Sequence, residues 1–382
     1  MTPYDHRWQR LPAHYERAVA WRAARIPDPA ARLRFLRSWT GVERPRRTDW
    51  RRRSALLLLG FLFIPPPTVS DANGTLRVAT AKILEPADHF PNVWLVDQKP
   101  DYEVFSNGLR VETRFRVRYE SRKHPVYAIA SDSADPLEWR TAPAGIVYHT
   151  TESLQVPFEP DNNRKLKRVS ENLLNLVRDK HSYHYVIDRF GRVWRVVEET
   201  DMANHAGYSV WATAREIYVN LNRAFLGVSF EAETGSPATP AQIHSARILT
   251  DMLRSRHRIP AANCVTHAQV SVNPSNKGIG YHTDWAADFP FQDIGLADNY
   301  RRPVPSLYLF GFGYDTSYLE STGARVKTGV LLAEERLKED ATARGLSVSA
   351  YRARLQQRYQ KIVAGLRPVG GSEENDGNEE RK

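Results

Sequence analysis

The sequence predicts an α/β protein, a mixed central β-sheet flanked by helices, with a β-rich extension ahead of it and a helical hairpin behind. Three stretches carry that expectation. AGIVYH at 144–149 is an apolar run bounded by polar residues, which reads as a buried strand with His149 at its carboxyl end. SYHYVIDRFGRVWRVVEE alternates on both sides of 188–192, which reads as a β-hairpin with Gly191 in its turn. Residues 162–180 place Leu166, Val169, Leu173, Leu176 and Val177 at helical spacing, the stripe of a helix that lies on a sheet.

The remaining elements follow in order. Residues 1–53 are an Arg-rich tail, with fourteen arginines against five acids, so most of the +10 net charge of this 382-residue chain lies there. The rest is nearly neutral, which argues against a nucleic-acid groove on the folded part. Within 54–72, the run ALLLLGFLFI at 55–64 follows three arginines and stops at three prolines. It is shorter than the roughly 20 residues of a bilayer span, and suits the core of a signal peptide or a short membrane anchor. The expectation is an exported, periplasmic or envelope-associated bacterial protein, with residues 54–67 as its contact with the membrane. A true start nearer Val42 would explain the long leader.

Residues 73–140 are strand-like and punctuated, with Val111, Phe115 and Val117 alternating with charged neighbours; they form a small β-rich region or an extension of the main sheet. His89 and His124 are expected on the surface. The main domain spans 141–295. LGVSFEAE supplies another strand, and Thr239 followed by Pro240 starts a helix with Ile243, Ala246, Leu249 and Leu253 on its buried side. The single cysteine, Cys264, excludes an intramolecular disulfide and a Cys-rich metal site.

The chemistry concentrates in CVTHAQVSVNPSNKGIGYHTDWAADFPF at 264–291. His267 and Asp284 are candidate ligands with His282 close by, and His149 would complete a His, His, carboxylate set if the fold brought it there. Three protein ligands leave one tetrahedral position for water, whose pKa zinc lowers toward neutrality. No helical HExxH pair is present.

YHTT at 148–151, SYHYVIDRFGRVW at 182–194, NHAG at 204–207, LGVSFE at 226–231, THAQV at 266–270 and HTDWAADFP at 282–290 occur in one order. In this the chain resembles the zinc-dependent N-acetylmuramoyl-L-alanine amidases of the type-2 group, similar to phage lysozyme-type amidases and animal peptidoglycan recognition proteins, over about 140–295. The resemblance implies a type-2 amidase-like fold and hydrolysis of the amide between N-acetylmuramic acid and L-alanine, in peptidoglycan or muropeptides. It also implies a Zn2+ cofactor held by His149, His267 and Asp284. Tyr183 matches a tyrosine beside the metal that holds the attacking water or polarises the carbonyl. His282 stands where many relatives have a lysine, and as an imidazolium near pH 6.5 it would steady the oxyanion. His205 matches a position that lines the substrate groove or backs a ligand, and His184 is structural. Two departures matter. Ser229 replaces the catalytic glutamate of bacterial relatives, leaving Glu231, on the same strand face, as base, or Tyr183 acting alone. The segment VNPSNKGIG lengthens the His267–Asp284 spacing, which reads as a flexible flap and leaves the third ligand open between Asp284 and His282. A non-catalytic peptidoglycan-binding module of the same fold is the alternative.

Beyond, 296–369 is expected to be helical. A Pro-marked linker (RRPVPS) leads to LYLFGFGYDTSYL, then to two helices over 327–366 broken at Gly345. The acidic tail at 370–382 is expected to be disordered.

Overall fold

The fold is that of a computed structural model, which describes residues 89–366 apart from 131, 132, 134 and 323–326. The expectations for the tail at 1–53, the apolar segment at 54–72, residues 73–88 and the tail at 370–382 lie outside the described residues. Among the described residues no helix is long and apolar enough to cross a membrane.

Three short strands come first, β1 (Leu95–Gln98), β2 (Tyr102–Phe105) and β3 (Arg110–Glu112), then β4 (His124–Ala128) and β5 (Glu138–Arg140). The expected buried strand is β6 (Gly145–Thr150), followed by helix α1 (Asn163–Lys180). The hairpin is β7 (Tyr185–Ile187) and β8 (Val193–Arg195), with Val186 opposite Trp194 and Gly191 at φ +81° in the turn. Next are β9 (Val210–Ala212), β10 (Glu216–Val219), the single turn α2 (Leu221–Ala224) and β11 (Phe225–Phe230). Helix α3 (Pro240–His257) opens with Thr239 and Gln242 in a reciprocal capping box and Pro240 at its first position. After it come β12 (Cys264–Thr266), α4 (His267–Val270) and β13 (Gly278–Ile279). The C-terminal region holds α5 (Pro305–Phe310), β14 (Gly313–Tyr314), α6 (Thr316–Ser321), α7 (Thr328–Ala343) and α8 (Val348–Leu366).

Eight strands form the main sheet in the order β1-β2-β3-β8-β7-β11-β6-β12. Its centre is parallel, because β11 runs alongside both β6 and β7, and β12 runs alongside β6. Both faces are covered. On one, Ile146, Tyr148, Leu226 and Val228 pack against Ala246, Leu249 and Leu253 of α3. On the other, Leu173, Leu174 and Val177 of α1 close over Val186 and Trp194. Each large aliphatic side chain so buried stabilises the fold by roughly 1.5–3 kcal/mol.

Three expectations need correction. Leu176 points outward at 56% exposure while Leu174 takes its place, because the stripe on α1 drifts as a 3.6-residue turn must. Of the two readings of the extension, β1 to β3 follow the second and extend the main sheet, β3 joining it through β8, while β4 and β5 form a second sheet with β10 and β9. That pairing buries His124 fully, in an apolar stretch too short to reveal its inward face, so it is not a surface residue. The linker around Val304 is buried too, in a core shared by α5, α7 and α8.

Candidate metal centre

The carboxyl ends of adjacent parallel strands are where α/β sheets commonly place a site, since side chains there project past the last backbone bonds into a crevice. Here β6 delivers His149 at its penultimate residue, and β12 ends one residue before His267, the first residue of α4. Thr266 and Gln269 form a capping box that sets the start of α4 and so the direction of His267. Asp284 arrives from the following loop, its carbonyl accepting from the Ala268 amide. The next residue, Trp285, takes a left-handed φ of +56° and packs on Phe230 and Phe289, turning the chain sharply there.

His149, His267 and Asp284 each offer one ligand atom, all within 4.8 Å of one another and all buried. His149 Nδ1 lies 3.2 Å from Asp284 Oδ2, and His267 Nδ1 lies 2.8 Å from Asp284 Oδ1. Asp284 pairs with no lysine or arginine among the described residues. Burial, then the neighbouring His267, lowers the pKa of His149 to about 4, leaving its imidazole neutral near pH 7. Burial by itself would raise Asp284, but the neighbouring imidazoles, His267 foremost, outweigh it and hold the carboxyl far below its usual range. Two imidazole nitrogens and an ionised carboxylate are the donor set of a catalytic zinc site with one position open, so these residues fit that ion.

His205 fixes which nitrogen of His149 is available. His205 Nε2 donates to the Phe225 carbonyl at 3.3 Å, so its Nδ1 accepts from His149 Nε2 at 3.1 Å, and the lone pair of His149 is left on Nδ1, facing Asp284. His205 is thus buried behind the ligand rather than open in a groove. A Cβ on Gly227 would come within 2.6 Å of the His205 ring, which explains a glycine in the middle of β11. Phe225 O also accepts from Arg122, a fully buried guanidinium contributed by the extension. Neither role was drawn from the sequence, although an interior strand glycine is a standing sign of close approach.

The other expected residues divide. Tyr183 sits at the site, its ring 5.2 Å from that of His149. His282 stacks on His267 at 4.5 Å between centroids. Burial, then His267, lowers its pKa to about 4, so the ring is uncharged near neutrality and the expected titration near pH 6.5 is corrected. Ser229 lies beside His149 in the β11–β6 register, its hydroxyl buried without a hydrogen-bond partner. Glu231 is not joined to this group: both its carboxylate oxygens accept from Ser170 on α1, and one also accepts from the Arg189 amide. Burial raises its pKa against those bonds. His184 accepts from the Gly227 amide inside the fold.

Residues 139–284, a span that ends on Asp284, match the family model described as N-acetylmuramoyl-L-alanine amidase. This segment belongs to that amidase family. Over 139 residues the chain is 28% identical to the N-acetylmuramoyl-L-alanine amidase AmiD of Escherichia coli (strain K12), a match covering 32% of this chain and 46% of AmiD. The chain therefore spans about half the length of that curated relative. Among solved structures it is similar to a complex of AmiD from E. coli with the substrate anhydro-N-acetylmuramic acid-L-Ala-D-gamma-Glu-L-Lys, at 19% identity over 70% of this chain and 99% of that one, with a TM-score of 0.30. It is also similar to the N-acetylmuramoyl-L-alanine amidase LysC from Clostridium intestinale URNW, at 20% identity over 48% and 93% of the two chains, with a TM-score of 0.26. Within the amidase segment lie all three candidate ligands together with Tyr183, His205 and His282.

Proposed function

We propose that this protein hydrolyses the amide between N-acetylmuramic acid and L-alanine, in peptidoglycan or in muropeptides, with zinc held by His149, His267 and Asp284. The observation that carries the reading is the convergence of those ligand atoms, one ring neutral and the carboxyl ionised, inside a segment of the amidase family. A bound zinc ion would supply Lewis acidity, bringing the pKa of a water in its open position toward neutrality and polarising the scissile carbonyl.

The chain's own groups supply the rest. His205 keeps the His149 proton on Nε2 and the ligand ring in one orientation. Tyr183, beside His149, holds the attacking water or donates to the carbonyl oxygen as it gains charge. His282 contributes a neutral N–H to that oxygen rather than a positive charge. With Glu231 engaged by Ser170, the proton transfers fall to Tyr183. A cell-envelope location agrees with this substrate and with the apolar run at 55–64.

The test is incubation of the purified full chain with peptidoglycan and with a soluble muropeptide, with and without chelator, reading new L-alanine amino termini. Turnover lost on chelation and restored by zinc is expected. Binding of either substrate without turnover would replace the hydrolase with a recognition module.

A further inference from the structure

The hydrolytic reading leaves the C-terminal region from α5 to α8 without a task, yet that region holds the loop on which Asp284 is carried. The lengthened segment between His267 and Asp284 is tied down on every side rather than hanging as a flap. Its amide at Val272 donates to Tyr208 O at 2.7 Å, and it closes on itself through Gly280 N to Ser271 O at 3.0 Å. Strand β13 within it runs parallel to β14 of the C-terminal region, and the Asp315 amide donates to Ile279 O at 2.8 Å.

The tie is completed by one carboxylate. Asp315 Oδ2 accepts from Asn273 Nδ2 at 2.8 Å and from Asn276 Nδ2 at 3.1 Å, while Oδ1 caps α6 by accepting from the Ser317 amide at 3.0 Å. Burial acts to raise its pKa, but the bonds from Ser317, Asn273 and Asn276 prevail and hold it at about 2, so the carboxylate is ionised and bonded across the neutral range. Apolar packing follows the same line: Ile279 and Ala286, on either side of Asp284, are buried in one core with Leu307, Val330, Leu337 and Ile362. Gly280 sits directly under Tyr318, where a Cβ would fall 2.5 Å from that side chain. Only three residues lie between Gly280 and Asp284.

We propose that Asp315 is a positioning residue for the metal loop: by gripping Asn273 and Asn276 it sets where His282 and Asp284 stand, which makes the C-terminal helical region a working part of the metal centre. This rests on the reading of His149, His267 and Asp284 as metal ligands.

The experiment titrates the full-length wild type, Asp315→Ala and Asp315→Asn with Co2+, followed by its visible absorption, and with Zn2+ in competition against a chromophoric chelator. Urea unfolding of the metal-free proteins runs alongside. Asp315→Ala should weaken metal affinity about 10- to 100-fold, the usual effect of losing a group that orients a ligand, and should alter the Co2+ spectrum. Asp315→Asn, which keeps one acceptor oxygen, should recover part of the loss. Because Asp315→Ala also removes the α6 cap, the double variant Asn273→Ala with Asn276→Ala, which spares that cap, should show the same weakening. Wild-type affinity and spectrum in both the Asp315→Ala and the double variant would overturn the proposal, as would a fall in unfolding midpoint with an unchanged spectrum in the folded fraction. A wild type that binds metal but cleaves no amide would sink the hydrolase reading and leave this one standing, whereas a wild type that binds neither ion would overturn both.

Discussion

Two buried clusters of histidine and carboxylate flank β6, and they behave in opposite ways. Beside residues 141–143, which lead into the strand, Glu199 is surrounded by cations and donors: it accepts from Tyr185 and His257, from Arg256 at 2.9 Å, and lies 3.5 Å from Arg195. Arg195 in turn grips Glu103 with two bonds at 2.9 and 2.8 Å. A cavity of about 360 Å³ opens there, lined by Thr141, Arg195, Glu199, Arg256 and His257. At the carboxyl end of the strand, among the described residues, Asp284 faces only imidazoles, and His267 Nε2 and the Ser229 hydroxyl are buried without partners. The difference teaches that neither burial of titratable groups nor the size of a cavity marks a reactive site. What separates the two is saturation, since the first cluster spends its charges on one another and the second keeps donor atoms aimed at a common point.

The comparison breaks most directly at Asp284. Asp284→Ala should lower amide hydrolysis by at least about 10³-fold, because a Lewis acid worth several kcal/mol loses its anionic ligand. Release of L-alanine amino termini reads the loss, and a variant within ten-fold of wild type would put the two clusters on equal footing.

At the saturated cluster the same kind of change should strike stability instead. Glu199→Gln removes the carboxylate shared by Arg195, Arg256 and His257 and should cost about 1–3 kcal/mol in urea unfolding, with turnover per folded molecule unchanged. Its pH dependence has a definite sign. Burial tends to raise Glu199, but the His257 bond and the charges of Arg195 and Arg256 hold it well below the usual carboxylate range. A depressed carboxyl contributes stability above its unfolded pKa of about 4.3, and loses it as pH falls through the folded value. The gap between wild type and variant should therefore be full at pH 7 and narrow in acid. A gap independent of pH would refute the pairing.

Smaller effects sharpen the picture at the metal centre. Tyr183→Phe should reduce kcat about 10²-fold, the lower end for loss of a group that moves or holds a proton, whereas Glu231→Gln should stay within about ten-fold of wild type. The reverse order would assign the base to Glu231 despite its bonds to Ser170. Least of all should pH act through His282. With its pKa lowered to about 4 the ring carries no proton charge from pH 6 to 8, so the kcat profile of His282→Gln should keep the wild-type shape over that range. An alkaline fall present in wild type and absent from the variant would restore the imidazolium.

Much of this was readable in the chain. The uniformly apolar 144–149, the alternation around Gly191, the Thr239–Pro240 start and the break at Gly345 each state a local periodicity or a local backbone demand, and each element stands where that demand puts it. The identities His149, His267 and Asp284 were also on the page, because a ligand is recognised by its chemistry and by the motif around it. Tertiary structure alone decided the rest. That His205 sets the His149 tautomer, that Glu231 turns to Ser170, that His282 stays uncharged, and that Asp315 ties down the loop from 42 residues away all depend on strand order and on burial across long separations. A residue's neighbours along the chain determine its backbone geometry, whereas its charge, its tautomer and its partner are set by whichever distant groups the sheet brings beside it in a medium of low dielectric.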